Sequence, residues 1–218
     1  MLEDRILFID GEAIVLDKPA GLPVDTPKRG GDSLAARINE LKCGFQRPPT
    51  VMHRLDQDTS GCLLLARNPK AHKRFQQAFE SRQVGKTYVA ILDGVPEGGE
   101  GVIDLPLAKT SSAEEGWRMV VDPAGKPALT HWRVAAVRDG RAMVVFEPQT
   151  GRTHQLRVHA AVRLGIPIAG DPVYGAGPGP TLLHAWKLRL ERAPKPPIDV
   201  VSPLPPGFRA SGFDDDQL

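Results

Sequence analysis

The sequence is short of the features that mark secreted, membrane and metal-binding proteins. It has two cysteines, Cys43 and Cys62, too few for the disulfide framework of a small secreted domain and not spaced as metal ligands. Cys62 lies inside the apolar run CLLLA and reads as a core residue. No apolar stretch approaches the roughly 18–20 residues needed to span a bilayer. The opening MLEDRILFIDGEA lacks the charged-then-apolar order of a signal peptide. Charge of one sign is not in excess either: the formal net charge is +2. Asp214, Asp215 and Asp216 sit near the C-terminus, so the body is more basic than that figure. A mildly basic body with a short acidic tail is compatible with a polyanionic substrate without demanding one. A soluble, cytoplasmic chain is expected.

What is present is a packable chain with much punctuation. Hydrophobic residues make up 41% and charged residues 25% of 218, a composition that builds an ordinary core. The length suits one domain, and no boundary or internal repeat stands out. ILFID and AIVLDKP read as short strands around Gly11. Asp32 is the expected cap of a helix carrying Leu34, Ile38 and Leu41. The stretch from Cys43 to Gly61 reads as a long loop, and CLLLARN after it as a buried strand. Asn68-Pro69 opens a helix, with Asn at the cap and Pro at the first helical position. From Lys86 the pattern turns to strands: KTYVAILDG, WRMVVD, ALTHWRVAAV and RAMVVFEP. Asp139-Gly140 joins the last two as a hairpin, since both residues tolerate positive φ. THQLRVHAAVRL reads as a helix stopped by Gly165 and Pro167. LLHAWKLRLE is the last expected element, and the proline-rich stretch beyond it (about 193–218, ending in the acidic tail) is expected to run over the surface. Strands outnumber helices and are mostly hairpin-connected, so the expected class is α+β with a mixed, mainly antiparallel sheet.

Three segments concentrate reactive side chains. His53-Arg54-Leu55-Asp56-Gln57-Asp58-Thr59-Ser60-Gly61 packs them into a loop before a buried strand, where a fixed scaffold can present them. Read without context, it is equally a turn whose Asp and Ser side chains bond their own backbone. Gly151-Arg152-Thr153-His154-Gln155-Leu156-Arg157-Val158-His159 would put His154 and Arg157 on one helix face near its N-terminus. An Arg there can pair with a loop carboxylate and keep it ionised, or can simply be a solvated basic face. His154 and His159 are five apart, not the four of a zinc-binding helix, so no metal is expected. In Lys86-Thr87-Tyr88-Val89-Ala90, Tyr88 is either a half-buried packing residue or a flat face against a nucleobase. Lys70, Lys73, Arg74, Arg82 and Lys86 are candidate phosphate contacts, or plain helix solubility.

Together and in this order, these segments resemble the RluA family of RNA pseudouridine synthases. The matching stretches are DKPAGLPV (17–24), HRLDQDTSGCLLLARN (53–68), KTYVAILDG (86–94), GRTHQLRVH (151–159), GIPIAGDPVYG (165–175) and LLHAWKL (182–188). The resemblance implies a sheet with flanking helices and a central cleft, and no cofactor or metal. It implies RNA as the partner, with ribosomal and transfer RNA both open; a monomer is the default expectation. Asp56 matches the catalytic aspartate and Arg54 the arginine that fills the gap left by a flipped base. Tyr88 matches the tyrosine against the target uracil, Arg157 the basic partner of the aspartate, and Leu183 an apolar residue of the base pocket. His53, Thr59 and Arg152, from the same motifs, are expected on the substrate side. Many relatives carry an S4-type RNA-binding domain before the core. Here about a dozen residues precede the match, and no such domain is expected, so RNA grip is expected to come from the core. Relatives often have a histidine shortly after KPAGL-x-V, where Asp25 and Thr26 stand here.

The chemistry fits the residues. Pseudouridine formation exchanges the N1–C1′ bond of uridine for a C5–C1′ bond, and a carboxylate can act at the sugar as nucleophile or base. Burial would push such a carboxylate towards neutrality, and an arginine contact offsets that. Two alternatives share the motifs: an RNA-binding protein without catalysis, and an RNA or nucleoside glycosylase that releases the base.

Overall fold

The structure is a computed structural model and describes residues 1–112, 116–177 and 179–218. In chain order the strands are β1 (Ile6–Ile9), β2 (Ala13–Lys18), β3 (Thr50–Val51), β4 (Ser60–Ala66), β5 (Val84–Leu92), β6 (Glu100–Asp104), β7 (Leu107–Ser112), β8 (Gly116–Val121), β9 (Leu129–Arg138), β10 (Arg141–Pro148), β11 (Leu183–Arg192) and β12 (Lys195–Val201). The helices are α1 (Leu34–Arg37), α2 (Pro69–Glu80), α3 (Gln155–Arg163) and α4 (Pro206–Ala210). The expected class, α+β with a mainly antiparallel central sheet, is borne out. The chain divides into two units, Met1–Lys86 with Ala185–Pro203, and Thr87–His184 with Leu204–Leu218.

In the first unit the strand order is β1-β2-β4-β11, with β3 beside β4 and β12 beside β11. All seven residues of β4 are buried, which is why its sequence is a continuous apolar run rather than an alternation. Cys62, Leu64 and Ala66 on one face of β4 pack with Ala71, Phe75 and Ala78 of α2. Leu188, Leu190, Ile198 and Val200 belong to the same core. Helix α2 begins as its sequence signals: the Asn68 side chain accepts the Ala71 N–H at 2.9 Å, with Pro69 in the first turn.

Two local expectations are corrected here. The cap of α1 is Ser33, whose hydroxyl accepts the Ala36 N–H at 3.0 Å, and not Asp32; Asp32 lies one residue too early to reach the first turn. The proline-rich stretch after residue 193 does not merely cover the surface. Its first part is β12, where Ile198 and Val200 alternate inward while Pro196 and Pro197 fall at the exposed start, where a missing N–H is tolerated.

In the second unit β5, β10, β9 and β6 are neighbours in that order, and β7 and β8 form a separate hairpin. β9 and β10 close through Asp139 and Gly140 at φ 50° and 74°, as their sequence indicates. Ala90, Leu92, Phe146, Leu156, Ala160 and Leu183 share one core. The C-terminal stretch is another correction to the surface reading: Phe208 and Phe213 are buried, and Arg209 donates to Asp214 and Asp215. The acidic residues therefore serve a local fold. Helix α3 starts two residues later than its periodicity suggests, because His154 has a left-handed backbone (φ 52°) and stands outside it.

Candidate active site

The sequence-predicted residues fall into two groups. Asp56, Arg54, His53 and Thr59 belong to the first unit; Tyr88, Arg152, Arg157 and Leu183 belong to the second.

The Asp56 loop is anchored from below by Lys18, a residue the sequence reading passed over. Lysine is almost never fully buried unless its charge is met, yet Lys18 is 0% exposed. Its ammonium donates to three carbonyls, those of Pro19 at 2.9 Å, Leu22 at 2.8 Å and Gln57 at 2.9 Å. Three N–H donors thus meet three acceptors, which is what lets the charge stay inside. The Gln57 carbonyl also accepts the Gly21 N–H at 3.0 Å. On the other side, the Asp56 carbonyl accepts the Thr59 N–H at 3.1 Å and closes a turn over Gln57 and Asp58. Leu55 is buried and pins the chain just before Asp56. The main chain is therefore fixed on both sides of a partly exposed carboxylate. Burial pushes the Lys18 ammonium down to about 8, with Asp58, Asp56 and Asp17 each pulling the other way.

Gly61, which ends the motif, has a structural reason. Its φ is +103°, and a Cβ there would lie 2.3 Å from the Ala185 carbonyl oxygen. No side chain fits at that approach.

His53 braces the same loop. Its Nε2 accepts the Leu64 N–H at 3.0 Å, and its ring lies 5.1 Å from the Phe79 ring. Accepting an N–H requires a neutral imidazole. Burial, helped by the charge of Lys86, lowers its pKa to about 3. Arg54 is exposed and pairs with Asp25 at 3.0 Å, so the aspartate standing where relatives often have histidine holds the arginine expected to enter the base stack.

In the second unit Arg157 is almost fully buried, and its guanidinium grips Asp171 with two bonds, Nε to Oδ2 at 2.7 Å and Nη2 to Oδ1 at 2.8 Å. Asp171 is 0% exposed and also accepts the N–H groups of Val173 and Tyr174. Burial alone would raise its pKa; the Arg157 fork and these N–H groups outweigh it and hold the carboxyl below its ordinary value. Asp171 was missed by the sequence reading. The available signal was Asp before Pro172 in a turn, where the side chain habitually bonds the following backbone. Arg152 donates Nε to the Pro127 carbonyl at 3.0 Å, a brace on its own loop. Tyr88, opposite Phe146 on β10, lies at the partly exposed edge of the apolar core that contains Leu183. The structure thus brings Tyr88 and Leu183 into one apolar cluster.

The other histidine of this stretch, His159, is a core residue: its ring nitrogens lie 2.9 Å from the Thr130 hydroxyl and 3.2 Å from the Leu105 carbonyl. Among the described residues no group of three or more His, Cys, Asp or Glu is placed to hold a metal ion, and no helix is long and apolar enough to cross a membrane. The candidate phosphate-binding face is thinner than its sequence implies. Arg74 pairs with Glu12 and Lys86 is partly buried, leaving Lys70, Lys73 and Arg82 exposed.

The mainly antiparallel α+β fold is shared with solved structures of RNA pseudouridylate synthase domain proteins. The structure of human RNA pseudouridylate synthase domain containing 4 superposes with a TM-score of 0.82 at 28% identity, over 96% of this chain and 92% of that one. The human domain containing 1 protein gives 0.74 at 29% identity, over 91% and 82%. The RNA pseudouridylate synthase family pattern matches residues 12–162. An uncharacterized RNA pseudouridine synthase of Zymomonas mobilis is 54% identical over 98% of this chain and 99% of its own length. Ribosomal large subunit pseudouridine synthase D of Nitrosomonas europaea is 37% identical over 94% of this chain, which spans 63% of that protein. The chain belongs to the RNA pseudouridine synthase family.

Proposed function

We propose that this pseudouridine synthase isomerises particular uridines of ribosomal RNA, transfer RNA or both, with Asp56 acting at C1′ of an extruded nucleotide. The observation that carries the reading is the clamp on the Asp56 loop. A catalytic carboxylate must be held to a fraction of an ångström against its target carbon, and here the Gln57 carbonyl next to it is fixed by both Lys18 and Gly21. The remaining roles are assigned from the family motifs. Those motifs assign Tyr88 to the uracil, Leu183 to the base pocket, Arg54 to the vacated stack and Arg157 to the family's basic residue, whose fork in this structure holds Asp171. His53 and Thr59 hold the loop that presents Asp56, and Arg152 holds the loop before α3. No cofactor is needed, because uracil leaves as a stabilised anion, is recaptured at C5, and then loses the C5 proton while N1 gains one, so the product is an isomer. The relative from Nitrosomonas, named for the ribosomal large subunit, supports ribosomal RNA as the first substrate to test.

Pseudouridine mapping of total RNA from cells with and without the gene tests this directly. Loss of defined pseudouridines in the deletion, restored by the gene, is the expected result. The mass of the purified product RNA separates isomerisation, which leaves it unchanged, from base release, which lowers it. An unchanged map or a lowered mass would overturn the proposal.

A further inference from the structure

The second unit contains an exposed ring that its own core does not need. Trp117 stands on β8 opposite Ser111 and is 49% exposed. Residues two apart on a strand share a face, so Trp117, Met119 and Val121 line up. Met119 and Val121 pack with Leu107, Ala128 and Val158, and the hairpin's core is filled there. Trp117 lies one step beyond it. Its ring is 5.0 Å from that of His154, and the ammonium of Lys109 is 5.2 Å from its centroid.

From Trp117 a continuous series of contacts runs inward. His154 Nδ1 is 3.0 Å from the Tyr174 hydroxyl, which also accepts the Met119 N–H at 3.0 Å. The Tyr174 ring lies 5.3 Å from the Arg157 guanidinium and 5.7 Å from that of Arg118. Arg157 ends the series on Asp171. His154 takes part with a left-handed backbone (φ 52°), a conformation that persists in a non-glycine residue only where surrounding contacts hold it. An aromatic ring half open to water, with cationic groups along the same series, is the arrangement by which proteins hold unpaired nucleotides through base stacking.

We propose that Trp117, supported by His154 and Lys109, is a stacking seat for an unpaired base of the substrate RNA outside the target position. This rests on the reading that the chain acts on RNA. The seat recognises any exposed nucleobase face, so it favours single-stranded over fully paired RNA.

The test measures binding of the full chain to a labelled oligouridylate of about 12 nucleotides, within the site size of such grooves, and to a perfect duplex of equal length. Trp117→Ala should weaken oligouridylate binding roughly tenfold, and Trp117→Phe by no more than about threefold, because stacking survives in part. Duplex binding should be unchanged. In the wild type, oligouridylate should quench tryptophan emission and shield it from acrylamide, and Trp117→Phe should abolish that response. The wild-type measurement keeps the proposal testable even if the alanine variant fails to fold. Equal oligouridylate affinity in wild type and variants overturns the proposal, as does a shift in oligomeric state on substitution, which would make the ring a protein contact. If wild type forms pseudouridine while these variants bind normally, the seat fails and the enzyme reading stands. If binding depends on Trp117 and no pseudouridine forms, the reverse holds.

Discussion

The ammonium of Lys18 donates to the carbonyl of Gln57 at 2.9 Å inside the protein, tying the end of β2 to the residue beside Asp56. Lys18→Met keeps the apolar stem and removes the donor from three carbonyls, of which the Leu22 carbonyl is buried and the Gln57 carbonyl keeps only the Gly21 N–H. Each unmet polar group costs about 1–3 kcal/mol, and the loop relaxes to recover it. The expected result is a kcat lowered roughly tenfold or more with substrate affinity largely retained, the pattern of an interaction that positions a reacting group. Steady-state kinetics on a defined RNA checks this. Equal losses in affinity and unchanged kcat would place Lys18 in RNA binding instead.

The same residue predicts an alkaline limb. Its folded pKa is about 8 against an ordinary 10.5. As pH rises through 8, one of three donors is lost and the charge facing Asp17, Asp56 and Asp58 disappears, so kcat should fall. Between 8 and 10.5 the unfolded chain binds this proton more tightly than the folded chain, so the group's contribution to stability rises with pH. A pH–rate profile paired with unfolding curves should show activity declining above pH 8 without a matching loss of stability from this group.

The buried Arg157–Asp171 fork should behave as a structural unit. Breaking such a pair from one side costs about 3–5 kcal/mol, because the remaining charge is left uncompensated. Asp171→Ala should therefore lower the unfolding midpoint by many degrees. Asp171 has a folded pKa below its ordinary value, so its stabilisation is complete above the unfolded pKa and is lost as acid takes the pH down through the folded value. Denaturant unfolding of wild type and variant from neutral to acid pH checks both statements; curves that remain parallel throughout would refute the second.

His53 should add a separate acid sensitivity. Its folded pKa is about 3 against 6.5, so its contribution is present above 6.5 and falls as pH drops from there towards 3. His53→Gln, which keeps an acceptor for the Leu64 N–H, should flatten stability against pH in that window.

Much of this was legible in advance, and the limits are physical. Asn68-Pro69 and Asp139-Gly140 were readable because caps and hairpin turns are local chemistry. The Asp56 loop was readable because reactive residues cluster in it. Lys18 was missed although it follows Ile14 and Leu16 on one strand face, since the hydropathy of lysine argues against burial and only tertiary carbonyls reverse it. The buried pairing of Arg157 with Asp171 was hidden for the same reason: Asp171 lies 14 residues away, across a turn that no periodicity describes. β12 was hidden by its prolines, whose cost vanishes at a strand start beside one neighbour. The left-handed residue His154 interrupts a helical pattern whose spacing gives no sign of it.

The exposed Arg54–Asp25 pair should matter for RNA and not for the fold. Surface pairs contribute about 0–1 kcal/mol, so Asp25→Asn should leave thermal stability nearly unchanged. It should tighten RNA binding, because the carboxylate holds Arg54 away from the base stack it is proposed to enter. Titrations at low and high salt check this; weaker binding in the variant would show that Asp25 positions Arg54 productively instead.

The most direct measurement compares wild type with Asp56→Asn on the same purified RNA, scoring RNA affinity and pseudouridine in one experiment. The account requires the variant to bind RNA as the wild type does and to form no detectable pseudouridine. Conversion of uridine by the Asp56→Asn protein would contradict it.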